Sequence, residues 1–246
     1  MALDEAIAGA VRKKGLPPAL RLYGWDRRAL SIGCFQKAAD IDREYCAAEG
    51  IPIVRRPTGG RAVLHHDELT YSFAARTGGG AFSGGLLDSY KRISEAFSLA
   101  FRKAGVLAGP RKSREKGSVL SGSPLCFQSG SFAEIMIGER KIVGSAQKRW
   151  ADGLLQQGSI PYSYDEEETR RVVRIPRAVA LNKCMAGVRE VIPGLDDAGF
   201  KRIIAAAFEE TFDISFVLSL PSPEELALAR ELEEQKYLHP AWNFQR

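Results

Sequence analysis

No segment of this 246-residue chain approaches eighteen consecutive apolar residues, so no part of it suits a membrane-spanning helix. Cysteine is sparse: Cys34, Cys46, Cys126 and Cys184 lie far apart, with no C-x-x-C spacing and no nearby histidine pair. That excludes a cysteine-rich zinc site or a disulfide framework and leads us to expect a reducing, cytoplasmic setting. Histidine is sparser still, and of the three, His65 and His66 are adjacent in a strand-like run. Neighbouring strand positions face opposite ways, so these two cannot chelate one ion, and we expect no metal. Also lacking is a basic stripe studded with aromatics. The net charge is +5 and the pI near 9.0, but the cations are scattered, which argues against nucleic acid as a partner. Acidic protein partners suit that charge better. The opening "MALDEAIAGAVRKKG" has acids early and bases late, the order a helix dipole favours, not that of a secretory signal.

What is present is ordinary globular material. An apolar fraction of 45% with 26% charged residues can bury one sizeable core, and neither an internal repeat nor a linker divides it. We therefore expect a single domain over 1–246, with a largely helical C-terminal part from about 165 onward. A helix is predicted from Leu3 to Lys13, stopped by Gly15 and two prolines. "ALRLYGWD" and "ALSIGCF" alternate like two strands joined by the turn Asp26-Arg27-Arg28. "DIDREYCAAEG" reads as a short helix with an aspartate cap and a glycine stop. "IPIVRRP", "AVLHH" and "ELTYSFAA" read as strands. "LLDSYKRISEAFSLAFRKAG" is a long amphipathic helix closed by Gly105. "FAEIMIGERKIVGSAQ" is a hairpin turning at Gly138-Glu139, and "GLLQQGSI" is a further strand. In "SPEELALARELEEQ", Ser222, Pro223 and Glu225 form a capping box. The fold class expected is α/β of the α+β type, with a mixed, antiparallel-rich sheet flanked by helices.

Three places could carry chemistry. With the turn at Gly138-Glu139, Lys141 faces Met136 and shares its side of the sheet with Val143. A lysine on an apolar face loses solvation, which suits an acid–base role, although an edge lysine that snorkels to water is the plainer alternative. Cys126 stands in the irregular, Gly/Ser/Pro-rich stretch 107–131, where a thiol can be exposed and activated by a cation; the plainer alternative is a small hydrophobe anchoring the loop. Cys34, Cys46 and Cys184 read as core or spacer positions. In "RRPTGGRAV", Gly59 and Gly60 permit close backbone approach, and Arg55, Arg56 and Arg61 could hold an anion. Gly-Gly turns also occur in plain hairpins.

Together "RRPTGGRAVLHHDELTYSF", "GERKIVGSAQKR" and "LLQQGSI", supported by "MALDEA", "LRLYGWDRRALSIGCFQ" and "KYLHPAWNF", resemble the lipoate-protein ligase superfamily across nearly the whole chain. Within it the likeness is closest to the cysteine-dependent octanoyl-[acyl-carrier-protein]:protein N-octanoyltransferases of the ligase-like branch. The resemblance implies a catalytic core shared with biotin-protein ligases. It implies a cysteine nucleophile in the loop before the "K-x-x-GSAQ" hairpin, here Cys126, and a lysine partner, here Lys141. Substrate-binding roles are expected for Arg56, Gly59, Gly60, Arg61, His65, Gly144 and Ser145. Octanoyl-acyl-carrier protein would be the donor and a lipoyl-type domain, such as glycine-cleavage H protein, the acceptor. No cofactor, nucleic acid or membrane is implied, and a monomer is the default.

The arginines are expected to steer acidic carriers and hold the phosphopantetheine phosphate, and strand faces around Val63, Leu64, Tyr71 and Phe73 to line an acyl tunnel. ATP-using ligases of the superfamily resemble "RRxSGGGAV", with a third glycine where this chain has Arg61. That difference, with Cys126 retained, favours transfer from a thioester over an ATP-dependent lipoate or octanoate ligase. The other alternative, a lipoyl amidotransferase, has a glycine turn that looks less like this one. The chain departs from its relatives in having His66 where an acid is frequent. It also has "MALDEA" at its start, where relatives usually have a strand already behind them; an exposed sheet edge, or one covered by a neighbour, is the expectation there.

Overall fold

The computed structural model describes residues 1–110, 125 and 134–246. Helix α1 (Ala2–Lys13) leads into strand β1 (Ala19–Tyr23), β2 (Ala29–Ile32), helix α2 (Arg43–Ala48), β3 (Ile53–Arg55), β4 (Val63–His65) and β5 (Glu68–Arg76). Helix α3 (Leu86–Lys103) precedes β6 (Gly109–Pro110), β7 (Ile135–Ile137), β8 (Arg140–Arg149) and β9 (Gly153–Pro161). The rest is helical: α4 (Glu166–Val172), α5 (Val188–Val191), α6 (Asp197–Phe212), α7 (Pro223–Leu232) and α8 (Pro240–Asn243).

The local signals act where the sequence places them. Asp42 caps α2 by accepting from the Tyr45 amide, and Gly50 beyond it takes φ +62°. Ser222 and Glu225 close a reciprocal box at the start of α7, with Pro223 in its first turn. Gly138 has φ +57° in the two-residue turn that pairs Ile137 with Arg140.

Two sheets result. The larger runs β1-β5-β9-β8-β7-β6 and is antiparallel throughout; the smaller runs β3-β2-β4 and joins a parallel to an antiparallel pair. This is the mixed, antiparallel-rich α/β arrangement the sequence implies. The predicted strands β1 and β2 both form but do not pair: β1 joins β5 in the large sheet, while β2 is the centre of the small one. The turn between them therefore carries the chain from one sheet to the other.

The main core lies between the large sheet and helices α3 and α6. Tyr71 and Phe73 from β5 meet Phe97 of α3 and Phe208 and Phe212 of α6, with ring centroids 4.5–5.9 Å apart. Burying each such ring contributes roughly 1.5–3 kcal/mol. A second cluster under the small sheet gathers Leu30, Ile32, Cys46, Val63, Leu125, Val172 and Met185. Tyr71 and Phe73, expected along an acyl tunnel, belong to the filled aromatic core instead. Val63 and Leu64 line open space.

Candidate active site

The glycine turn is shaped by close backbone approach. Gly60 has φ +80°, and a methyl group added at Gly33 would stand 1.8 Å from the Gly60 carbonyl oxygen. Two glycines thus let the turn after β3 lie directly on the segment that follows β2. The arginines before it do not face outward as an anion-steering role requires. Arg55 is fully buried, and its guanidinium donates to the carbonyls of Gly33, Cys34, Gln36, Trp242 and Asn243. Arg56 is buried too, and donates to the carbonyls of Ser31, Gly59 and Arg61. Unpaired carbonyls at an irregular turn attract a planar cation with five donors, and that attraction turns both side chains inward. The phosphate-holding role therefore fails for Arg55, while Arg61 remains half-buried in the turn.

Arg56 also donates to Ser31 Oγ at 3.0 Å, and Ser31 Oγ lies 2.7 Å from His65 Nε2. On the other side of the ring, His65 Nδ1 is 2.7 Å from Glu68 Oε1, and the Trp25 ring stacks on it at 4.4 Å. Burial pushes the Glu68 carboxyl upward, but His65, Thr70 and Ser159 outweigh it and hold the group below its usual value. With a proton on Nδ1 facing the carboxylate, Nε2 is left to accept from Ser31. A single polarised chain thus runs from Arg56 through Ser31 and His65 to Glu68. His66, in contrast, is exposed; it lies in the bend just after β4, not in the strand the sequence suggested.

Arg56, Ser31 and His65 line one small cavity of about 20 Å3 together with Val63, Gly144, Ser145 and Gly158. Four of the predicted substrate-binding residues (Arg56, His65, Gly144 and Ser145) are therefore brought together, and Gly59 and Arg61 join them through Arg56. The cavity has room for about one water. Ser145 Oγ is tied to Tyr71 OH at 2.6 Å.

Lys141 lies three residues before Gly144 on β8 and is 1% exposed. It faces Met136, as its distance from the turn implies, but a bulge follows, so that Ile135 pairs with Val143. Its backbone is held on both sides: the Lys141 amide donates to Cys184 O and its carbonyl accepts from the Ala186 amide. Its Nζ donates to Glu134 Oε1 at 2.5 Å, and Glu134 is itself buried. The snorkelling alternative is thus excluded, since the amine is enclosed and paired.

Cys126 lies outside the described residues. Leu125, its predecessor in the chain, is buried and bridges Ala62 just after the glycine turn. Leu125 and Met185, the bridge partner of Lys141, line one cleft of about 560 Å3 with Val63, Leu64, His66 and Glu68. Of the other cysteines, Cys46 is buried in the second core, and burial, with Asp42 and Glu168 nearby, pushes its thiol up to about 11. Cys34 and Cys184 are half-buried. Among the described residues no cluster of His, Cys, Asp or Glu could hold a metal, and no helix is long and apolar enough to cross a membrane.

Sequence reasoning missed Ser31, Glu68 and Glu134. The available signal was an acid inside a strand-forming run, in "HHDELTYSF" and again in "FAEIMIG". Such a charge is retained in a buried strand only when something answers it.

Residues 1–213 match the family model "Lipoyl protein ligase A/B catalytic domain". The octanoyltransferase LipM of Carboxydothermus hydrogenoformans is 36% identical, over 99% of this chain and 93% of that protein. Its counterpart from Kyrpidia tusciae is 38% identical, over 100% and 94%. Among solved structures, lipoate-protein ligase A bound with ATP superposes with TM-score 0.84 at 28% identity, covering 99% of this chain and 92% of that one. The bipartite lipoate protein ligase of Thermoplasma acidophilum gives 0.81 at 26%, covering 99% and 89%. With a family model matched over most of its length and relatives 36% and 38% identical across nearly all of it, the chain belongs to the lipoyl protein ligase A/B catalytic domain family and is an acyltransferase.

Proposed function

We propose that the protein moves an octanoyl group from octanoyl-acyl-carrier protein to a lysine ε-amine on a lipoyl-type domain, such as glycine-cleavage H protein, through an octanoyl-Cys126 intermediate. One observation carries the reading. The 560 Å3 cleft is walled both by Leu125, which precedes Cys126, and by Met185, which bridges the enclosed Lys141. The octanoyltransferase names of the two relatives above support the acyl group.

In the first half-reaction the Cys126 thiol gives its proton to Lys141, and the thiolate attacks the thioester carbonyl. The bond to the carrier sulfur breaks, and that sulfur takes the proton from Lys141. In the second half, the acceptor amine attacks the octanoyl-cysteine, the bond to Sγ breaks, and Lys141 returns the amine's proton to the thiolate. Exchange of a thioester for an amide is downhill and requires no nucleotide. Backbone N–H groups around Gly144-Ser145 or Gly59-Gly60 stabilise the tetrahedral oxyanion. The apolar wall of Val63, Leu64, Leu125 and Met185 receives the acyl chain. A cleft of this size is within the usual range for ligand sites, and each buried CH2 contributes about 0.8 kcal/mol.

The likeness to a ligase bound with ATP gives the second reading, adenylation of free octanoate. Intact mass separates the two. Mixing with octanoyl-carrier protein should add one octanoyl group, lost in Cys126→Ala and kept in Cys34→Ala, Cys46→Ala and Cys184→Ala. Octanoylation of a lipoyl domain from free octanoate and ATP, undiminished in Cys126→Ala, would establish the ligase reading instead.

A further inference from the structure

Glu134 precedes β7 and is 3% exposed; Lys141, across the hairpin, is 1% exposed. Lys141 Nζ donates to Glu134 Oε1, while Glu134 Oε2, also buried, has no hydrogen-bond partner among the described residues. Such a pair is a poor device for stability. A buried carboxylate is costly to desolvate, and its unanswered second oxygen adds a further penalty. It is a better device for holding a base whose charge must change.

We propose that Glu134 is the positioning residue of Lys141, an inference that rests on the acyl-transfer reading above. When Lys141 takes the thiol proton, its amine becomes an ammonium in a place from which the folded chain excludes solvent. A lone buried ammonium is strongly disfavoured. The Glu134 carboxylate supplies the counter-charge before the proton moves, so nothing has to reorganise at that moment. It also fixes the tip of a side chain with four carbons of free rotation. The root is already fixed, because the Lys141 backbone bonds to Cys184 and Ala186. In the first half-reaction a proton travels from sulfur to Nζ and on to the leaving sulfur, and in the second from the acceptor amine to Nζ and on to Sγ; Glu134 gains none in either. The role matches that of the buried acid behind the base in nucleophile–base–acid triads, with lysine in place of histidine.

The test uses the full chain as Glu134→Gln, Glu134→Asp, Lys141→Ala and the double variant Glu134→Gln/Lys141→Ala, assayed with octanoyl-acyl-carrier protein and a lipoyl domain. Glu134→Gln should lower kcat on the order of a hundredfold while KM for the carrier moves less than about threefold. Glu134→Asp, which keeps the charge, should recover about a tenth or more of wild-type kcat. The double variant should lose no more than Lys141→Ala alone, because the two residues act as one unit. Wild-type kcat in Glu134→Gln beside an inactive Lys141→Ala overturns this inference alone, as does a double variant whose loss is the product of the single losses. A fully active Lys141→Ala overturns the reading beneath it. If Glu134→Gln fails to fold, kcat per folded molecule of Glu134→Asp decides: a fall with KM unchanged supports the role, and the wild-type value overturns it.

Discussion

Strand β5 has two faces, and both are buried, but opposite chemistry buries them. Leu69, Tyr71, Phe73 and Ala75 point into an aromatic core made with α3 and α6. Glu68, Thr70 and Ser72 point the other way, where every polar atom is answered: Glu68 by His65 and Ser159, Thr70 by Trp25, and Ser72 by Asp4 of α1. Asp4 also accepts from Arg21, Tyr23 and the Gln157 amide. The apolar face draws its strength from area, which is insensitive to detail within a methyl group or so. The polar face depends on completeness, because one missing partner leaves several others unpaired in a dry place. Thr70, Gln157, Ser159 and Gly144, which line the small cavity, lie on the second face, while Ser145 and Gly158 line it from the register of Tyr71. The cavity therefore draws on the face where geometry is most tightly specified.

The contrast can be broken most forcefully from the apolar side. Phe73→Ala should cost about 3–5 kcal/mol of stability, read as a lower midpoint in urea; a cost below about 1 kcal/mol would mean that this face is not what holds the sheet. On the polar side, Asp4→Ala should cost about 2–3 kcal/mol, since it strands Arg21, Ser72 and Gln157 together.

Asp4 also sharpens the contrast through pH. Burial alone would raise its carboxyl, but the N-terminal ammonium, Arg21, Gln157 and Ser72 hold it below its ordinary value. A carboxyl depressed in the folded state stabilises above its unfolded value and loses that contribution as pH falls through the folded one. Wild-type stability should therefore drop below about pH 4 more steeply than that of Asp4→Asn, measured as midpoints across an acid series. A parallel pair of curves would show that the charge on Asp4 contributes nothing. The smallest effect belongs to Ser72→Ala, about 1 kcal/mol with kcat unchanged, because Asp4 keeps its other donors.

The two faces also divide what could be read in advance. Helix α3, the hairpin at Gly138-Glu139 and the capped start of α7 depend on periodicity and short-range geometry, and each formed within a few residues of its expected bounds. By contrast, the inward turn of Arg55 and Arg56 depends on carbonyls contributed by Gly33, Ser31 and Trp242, far away in the chain, so a local reading saw only free cations. The same distance hides Asp4, whose partners come from β1, β5 and β9, and it hides the role of Ser31. Lys141 was legible as a residue on an apolar face. The bulge beside it was not, and neither was the acid that answers it.

The carbonyl cage around Arg55 has a consequence in time. The Arg55 amide donates to Asn243 Oδ1, and the Trp242 indole N–H donates back to the Arg55 carbonyl, across separations of 188 and 187 residues. At ribosomal speeds of about 5–20 residues per second, this strand waits roughly 10–40 s for its clamp. Until then, the Arg55 guanidinium has the carbonyls of Gly33, Cys34 and Gln36 but not those of α8. The cage that turns Arg55 inward is therefore completed only once α8 has been made.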